Sequence, residues 1–218
     1  MFRVIEINMF SKLFLICAFA LAVTSQERLK VTLFYEGLCP YCHDFIIQQL
    51  YPGFKKLGNA LDVDLVSVQH PKNNGSKIEW TCQHGPIECY INKVSACAIH
   101  VSDTQSKMME YINCFLSDFD DDKSKEYEEE LAKNCSAGNG LSWDNINSCL
   151  DKDVDNILLA YEQRKTKVQP PLEYVPAILF NDKHDIDIEF AARDDFLATA
   201  CRLFKTKPKA CLKTFLKN

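Results

Sequence analysis

Apolar and polar residues recur with two different periods along this chain, and the changes between them mark out its elements. Lys30-Val-Thr-Leu-Phe-Tyr35 is short, β-branched and aromatic, the composition of a strand. His43-Asp-Phe-Ile-Ile-Gln-Gln-Leu50 spaces its apolar residues as a helix does, and Pro52-Gly53 is expected to kink or end it. Leu61-Asp-Val-Asp-Leu-Val-Ser-Val68 alternates like a half-buried strand, whereas residues 69–85, with Pro71, Asn73, Asn74 and Gly75, read as a loop. From Pro86 to about Lys167 the pattern is helical. Pro86 starts a helix with Ile87, Tyr90, Ile91, Val94 and Ala98 on one face, and Ser102 with Gln105 forms a capping box before Met108, Met109, Ile112, Phe115 and Leu116. Strands return at Tyr174-Val-Pro-Ala-Ile-Leu-Phe180 and at Asp185-Ile-Asp-Ile-Glu-Phe190, with Asn181-Asp-Lys-His184 as the turn between them. A last helix carries Phe196, Leu197, Ala200, Cys201 and Phe204. The order β, helix, β, helical insertion, β-hairpin, helix belongs to the α/β class.

The first 25 residues read as an address. Arg3 and Lys12 precede the apolar run Leu13 to Val23, too short to span a bilayer, and the small residues Val23 and Ser25 suit cleavage before Gln26. We therefore expect a signal peptide at 1–25 and a single domain at 26–218, with its helical insertion at about 86–167. No later apolar run approaches the ~18 residues of a transmembrane helix, so no membrane insertion of the mature chain is expected. Losing Arg3, Lys12 and Glu6 takes the net charge from −5 to −6, and without a basic patch nucleic acid is not expected as a partner. The acids between Asp118 and Glu130 read as a solvated loop and helix face, since no calcium-loop spacing is present.

Candidate chemistry centres on Cys39-Pro40-Tyr41-Cys42, which lies where the first strand hands over to a helix. A thiol at the positive end of a helix has its thiolate stabilised, and its pKa falls from about 8.5 into the range ~3.5–7.5. Pro40 suits the first turn, where its missing N–H has no partner to lose. Cys39 is the expected attacking thiolate and Cys42 the resolving thiol. With Cys17 in the signal segment, eight further cysteines remain: Cys82, Cys89, Cys97, Cys114, Cys135, Cys149, Cys201 and Cys211. Eight is an even set for four structural bridges in an oxidising compartment, with about 105 pairings open. Cys201 and Cys211 are close enough in sequence to pin the tail. The sequons Asn74-Gly-Ser76 and Asn134-Cys-Ser136 are candidate glycosylation sites and agree with a secretory route.

A CxxC at a strand-to-helix junction, with a Val-Pro strand more than a hundred residues later, resembles a thioredoxin-like fold with a helical, disulfide-bridged insertion, the DsbA-like arrangement. That resemblance implies a cis bond at Val175-Pro176, with Pro176 against the cysteine pair and a strand edge open to substrate backbone. Val175, Pro176 and Tyr41 are then the substrate-binding candidates. A longer pattern, Cys82-Gln83-His84-Gly85-Pro86-Ile87-Glu88-Cys89-Tyr90-Ile91-Asn92 followed by four residues and Cys97, matches at every fixed position the signature C-Q-H-G-x₂-E-C-x₂-N-x₄-C. In this it resembles the gamma-interferon-inducible lysosomal thiol reductase (GILT) family. The resemblance implies reduction of protein or peptide disulfides in an acidic compartment, with a small thiol as reductant and no cofactor.

Physically the signature reads as architecture: Gly85 permits a turn, Pro86 starts a helix, and Cys89 and Cys97 lie on nearly one helical face. His84 has no second histidine at ligand spacing, so no metal site is expected. His43, next to Cys42, is either a cation that helps hold the thiolate or an exposed helix residue. Three other readings stay open. They are a Zn²⁺ module joining Cys39 and Cys42 to two later cysteines, a secreted disulfide-rich binding protein, and a resident oxidase or isomerase of the endoplasmic reticulum. The chain ends Thr214-Phe-Leu-Lys-Asn218, not in a retrieval signal, so onward traffic to a lysosomal or extracellular address is expected.

Overall fold

A computed structural model describes residues 28–75, 77–117 and 124–214, so the expected signal segment lies outside them, as does most of the acidic run's first half. The main sheet is built around β1 (Leu29–Tyr35). It pairs in parallel with β2 (Leu61–Ser67), Val31 opposite Val63, and antiparallel with β5 (Ala177–Phe180), Leu33 opposite Ile178. A two-residue β6 (Lys183–His184) completes the order β2-β1-β5-β6.

The period of two puts Val31, Leu33, Tyr35, Leu61, Val63, Leu65, Ile178 and Phe180 on the face that meets most of the helices. Phe34, Val66, Val68, Ala177 and Leu179 point the other way and are covered by Tyr161, Val168, Leu172 and Val175. Burying each large apolar side chain contributes roughly 1.5–3 kcal/mol, so the doubly covered β1 anchors the fold.

The cysteine-bearing helix runs as α1 (Pro40–Asp44), a wider-wound stretch Phe45–Leu50 and α2 (Tyr51–Leu57). Of the two expected outcomes at Pro52-Gly53, a kink or an end, the end does not occur. The Tyr51 N–H reaches back five residues to the Ile46 carbonyl, and this wide turn delivers Pro52 into the first turn of α2, where its missing donor costs nothing. Gly53 is required by packing, because a Cβ there would lie 2.4 Å from Phe196 Cδ1.

Residues 69–85 are not simply a loop. They contain a second sheet, β3 (His70–Asn74) antiparallel to β4 (Lys77–Thr81), which stands apart from the main sheet; β3 shows no alternation, and β4 alternates only through Ile78 and Trp80. The helical insertion follows as α3 (Pro86–Val101), α4 (Gln105–Leu116), α5 (Lys125–Gly138), α6 (Trp143–Lys152) and α7 (Val154–Thr166). The expected Ser102/Gln105 capping box does not form. Thr104 caps α4 by accepting from the Lys107 N–H, and Ser102 Oγ donates back to the Ala98 carbonyl. The Gln105 amide instead bridges to β2, at Leu61 O and Val63 N.

Four disulfides close the set of eight. Cys97–Cys149 joins α3 to α6, Cys114–Cys135 joins α4 to α5, and Cys82–Cys89 ties the hairpin exit to α3. Cys201–Cys211 pins α10 (Lys209–Thr214) to α9 (Phe196–Leu203), as the sequence suggested. With all eight later cysteines paired, none is left to complete a Zn²⁺ module with Cys39 and Cys42.

The expected strand Asp185–Phe190 is a helix, α8 (Ile186–Asp194). Asp185 caps it by accepting from the Asp187 and Ile188 N–H groups, and acids fill its first turn. Ile186 and Phe190 face solvent while Ile188 packs on the core and Ala192 is buried, so the alternating residues do not share one face.

Candidate active site

Cys39 is the N-cap of α1, with Pro40 at the first helical position. Its Sγ accepts from the Cys42 N–H at 3.3 Å and lies 2.6 Å from Cys42 Sγ and 3.9 Å from the Val175 carbonyl. These are the free cysteines among the described residues; Cys39 is 5% exposed and Cys42 0%. The Val175-Pro176 bond is cis, and so is Gln169-Pro170, which had no sequence signal. Pro176 is buried and its carbonyl accepts from Arg193, whereas Tyr41 stands 73% exposed beside the cysteines. Tyr41, Asp44, Phe45, Gln48, Gln49 and Arg193 line a cleft of about 190 Å³ on this side.

The turn from β1 into α1 is held from behind by α3. Gly37 N–H donates to Asn92 Oδ1 at 2.8 Å, and the Asn92 amide donates to the Val68 carbonyl at 3.0 Å. Leu38 N–H donates to Glu88 Oε1 at 3.1 Å. The Glu88 carboxylate also accepts from the His84 backbone N–H at 2.9 Å and lies 2.7 Å from His84 Nδ1. The residues of the Cys82–Cys97 pattern are therefore architecture of a particular kind, a wall that fixes the cysteine loop. Glu88 and Asn92 lie four positions apart on one face of α3, and that spacing was their readable signal. Gly37→Ala is expected to push this wall back, since its Cβ would meet Ile91 Cγ2 at 2.5 Å and Asn92 Oδ1 at 2.9 Å. A loss of about 1–3 kcal/mol in denaturant unfolding, with reduced thiol exchange, is the expected result.

The electrostatics separate the two thiols. The hydrogen bond with Cys42 lowers the Cys39 pKa most; burial opposes it, the Cys42 N–H assists, and the charge of Glu36 opposes. Cys42 is pushed well above its ordinary value, first by burial and then by its contact with Cys39. A low-pKa thiol beside a high-pKa one is the polarity that exchange chemistry needs.

A family model described as gamma interferon inducible lysosomal thiol reductase (GILT) matches residues 30–139, just over half the chain. The chain belongs to the GILT family. GILT-like protein 1 of Drosophila melanogaster is 32% identical over 206 residues, covering 86% of this chain and 80% of that protein. The gamma-interferon-inducible lysosomal thiol reductase of Carassius auratus is 32% identical over 193 residues, covering 86% and 73%. Among solved structures, BdbD from Bacillus subtilis in its oxidised form superposes with a TM-score of 0.57 at 16% identity, over 82% of this chain and 88% of that one. Chlamydia trachomatis DsbA gives 0.54 at 15% identity, over 77% and 82%. These likenesses establish a DsbA-like thioredoxin fold.

Within this GILT-family site, two residues depart from the sequence reading. His43 is neither exposed nor a cation at the thiolate: it is 7% exposed, its Nε2 is 2.7 Å from the Gly37 carbonyl, and burial lowers its pKa. Glu36, not singled out in the sequence, is 6% exposed, and its Oε2 is buried with no hydrogen-bond partner. Burial and then the charge of Glu88 push its pKa up to about 7, with His84 and Lys165 pulling the other way. Glu36, His84 and Glu88 offer ligand atoms within 4.8 Å of one another. Both Glu88 oxygens already contact Leu38 and His84.

The raised Glu36 pKa links to stability. Its contribution is fully present below the unfolded value near 4.5 and is lost as pH rises through about 7. Glu36→Gln is therefore expected to raise Tm at about pH 8 by a few degrees (about 2–4 °C per kcal/mol) and to leave it unchanged at about pH 4. Equal shifts at both pH values would sink this account.

The glycosylation candidates lie on α5 and β3, not on the elements that carry Cys39 and Cys42. Asn134 is exposed in the middle of α5, with Cys135 in its disulfide and Ser136 buried. Asn74 ends β3, and its side chain and Ser76 are outside the described residues.

Proposed function

We propose that this chain is a thiol-disulfide oxidoreductase that reduces protein or peptide disulfides through Cys39 and Cys42. The observation that carries the reading is the free pair at the N-terminus of α1, left over when eight other cysteines close four bridges, with one thiol electrostatically favoured as thiolate.

The Cys39 thiolate attacks one sulfur of the substrate disulfide, and the other sulfur leaves as a thiolate and takes a proton. Cys42 then gives up its proton to the departing substrate sulfur and attacks Cys39 Sγ. Substrate leaves with two thiols, and Cys39–Cys42 is left as a disulfide. A small thiol reductant returns the pair to the dithiol. Val175, whose carbonyl lies 3.9 Å from Cys39 Sγ, and Pro176 frame the place where substrate backbone would run, and Tyr41 offers an exposed ring beside it.

Residues 26–218 form the single domain in this reading, delivered by the 1–25 segment into the secretory route. The four bridges support an oxidising assembly compartment, and the family's lysosomal name supports an acidic destination. No helix among the described residues is long and apolar enough to cross a membrane. Insulin-disulfide reduction by the purified chain with a small thiol, at about pH 5 and about pH 7, tests the reading. Turnover at about pH 5 is the expected result, and none at either pH would overturn it.

A further inference from the structure

Three ionisable groups stand behind the cysteine loop and take no bond-making part in the exchange steps above: Glu36, His84 and Glu88. Glu36 immediately follows β1, and its carbonyl accepts the Cys39 N–H at 3.3 Å, so it belongs to the turn that presents the nucleophile. His84 and Glu88 flank the start of α3, and Glu88 grips the same turn through Leu38. One Glu36 oxygen is buried without a partner, which leaves its charge uncompensated by any hydrogen bond at that atom.

We propose that Glu36 and His84 are positioning residues for the Cys39 thiolate, forming with Glu88 a charge switch that turns negative charge toward the cysteines in alkaline solution and sheds it in acid. The proposal rests on the reading of Cys39 as the attacking thiolate.

Each microstate follows from the contacts. Above neutrality Glu36 is a carboxylate and His84 is neutral, so the charge of Glu36 faces the cysteines. Glu36 repels charge on both Cys39 and Cys42. As pH falls, Glu36 takes a proton near pH 7. His84 takes another: burial pulls its pKa down, but the hydrogen bond and charge of Glu88, with the charges of Glu36 and Cys39, hold it above the ordinary imidazole value. The cluster then presents a cationic His84 in contact with Glu88 and a neutral Glu36. The repulsion is gone when bulk protons are most abundant, which keeps a thiolate populated in acid. Of the other groups facing Glu36, Lys165 on α7 attracts its charge but is itself paired with Glu162. His43 on α1 stays toward its neutral form. Neither changes the sign of the switch.

Reciprocity gives the test. Reduction creates the Cys39 thiolate, so any charge facing it biases the dithiol–disulfide equilibrium. Full-length wild type, Glu36→Gln and His84→Gln are equilibrated with a reference dithiol buffer at about pH 5 and about pH 8, and the Cys39–Cys42 state is read by alkylation and mass. Glu36→Gln mimics the protonated carboxyl: it should match wild type at about pH 5 and favour the reduced form about three- to tenfold more at about pH 8. His84→Gln removes the cation, so it should match wild type at about pH 8 and favour the reduced form about threefold less at about pH 5. A purely structural role would shift both pH values alike. Ratios to wild type that stay flat across pH overturn the switch. A wild type that never exchanges with the buffer overturns instead the thiol reading beneath it. His84, solvent-facing, keeps the test alive if Glu36→Gln fails to fold.

Discussion

Cys39→Ser is expected to lower insulin-disulfide reduction by about 100-fold or more at every pH, because a serine hydroxyl neither ionises in this range nor attacks a disulfide sulfur. Cys42→Ser should behave differently. It retains the nucleophile at the N-cap of α1 but lacks the thiol that displaces substrate, so a mixed disulfide between Cys39 and insulin should accumulate and be visible on a non-reducing gel. The double variant should trap nothing. Full activity in Cys39→Ser would remove the dithiol mechanism and favour a binding protein that keeps the scaffold. Trapping in Cys39→Ser but not in Cys42→Ser would reverse the two roles.

Removing Cys97–Cys149, as a double alanine variant, should cost the fold most among the bridges. Chain-entropy arguments give about 4 kcal/mol for a loop closed over this separation, against about 2.7 for the separation of Cys201–Cys211. The two separations are 52 and 10 residues. Both sulfurs of the longer bridge are buried, so the change also leaves a cavity between α3 and α6. A fall in Tm of roughly 10 °C or more is expected. Because α3 carries Glu88 and Asn92 against the cysteine loop, exchange activity should fail together with the first loss of helix packing. A smaller loss than that from removing Cys201–Cys211 would contradict this ranking.

The elements that touch the main core were legible in the chain. β1 and β2 announce themselves by β-branched and alternating residues because one or both of their faces are buried. The helical insertion shows through its period for the same reason, most plainly along α3 and α4. Where contact with the core is slight the pattern fails: β3 shows no alternation, β4 offers only Ile78 and Trp80, and α8 exposes Ile186 and Phe190, two of the residues that imitate a strand. The Cys39–Cys42 pair was readable as chemistry, since few uses exist for a CxxC at a helix start. Its setting was not. Glu36 looks like an ordinary acid after a strand, and only the third dimension brings α3 against it, removes water from its carboxyl and leaves an oxygen unpaired. His43 likewise reads as solvent-facing until the Gly37 carbonyl is seen to receive its ring.

Asn134 carries a consequence for the order of biosynthesis. An oligosaccharide is transferred to an acceptor whose Asn and Ser side chains are presented by an extended segment, whereas here the acceptor is wound into α5, Cys135 is bonded to Cys114, and Ser136 is 1% exposed. Any glycan on Asn134 must therefore be attached before that turn of helix closes. If Asn134 carries a glycan, sugar transfer and thiol oxidation would compete for the same few residues of nascent chain, and occupancy there would be a clock that records which came first.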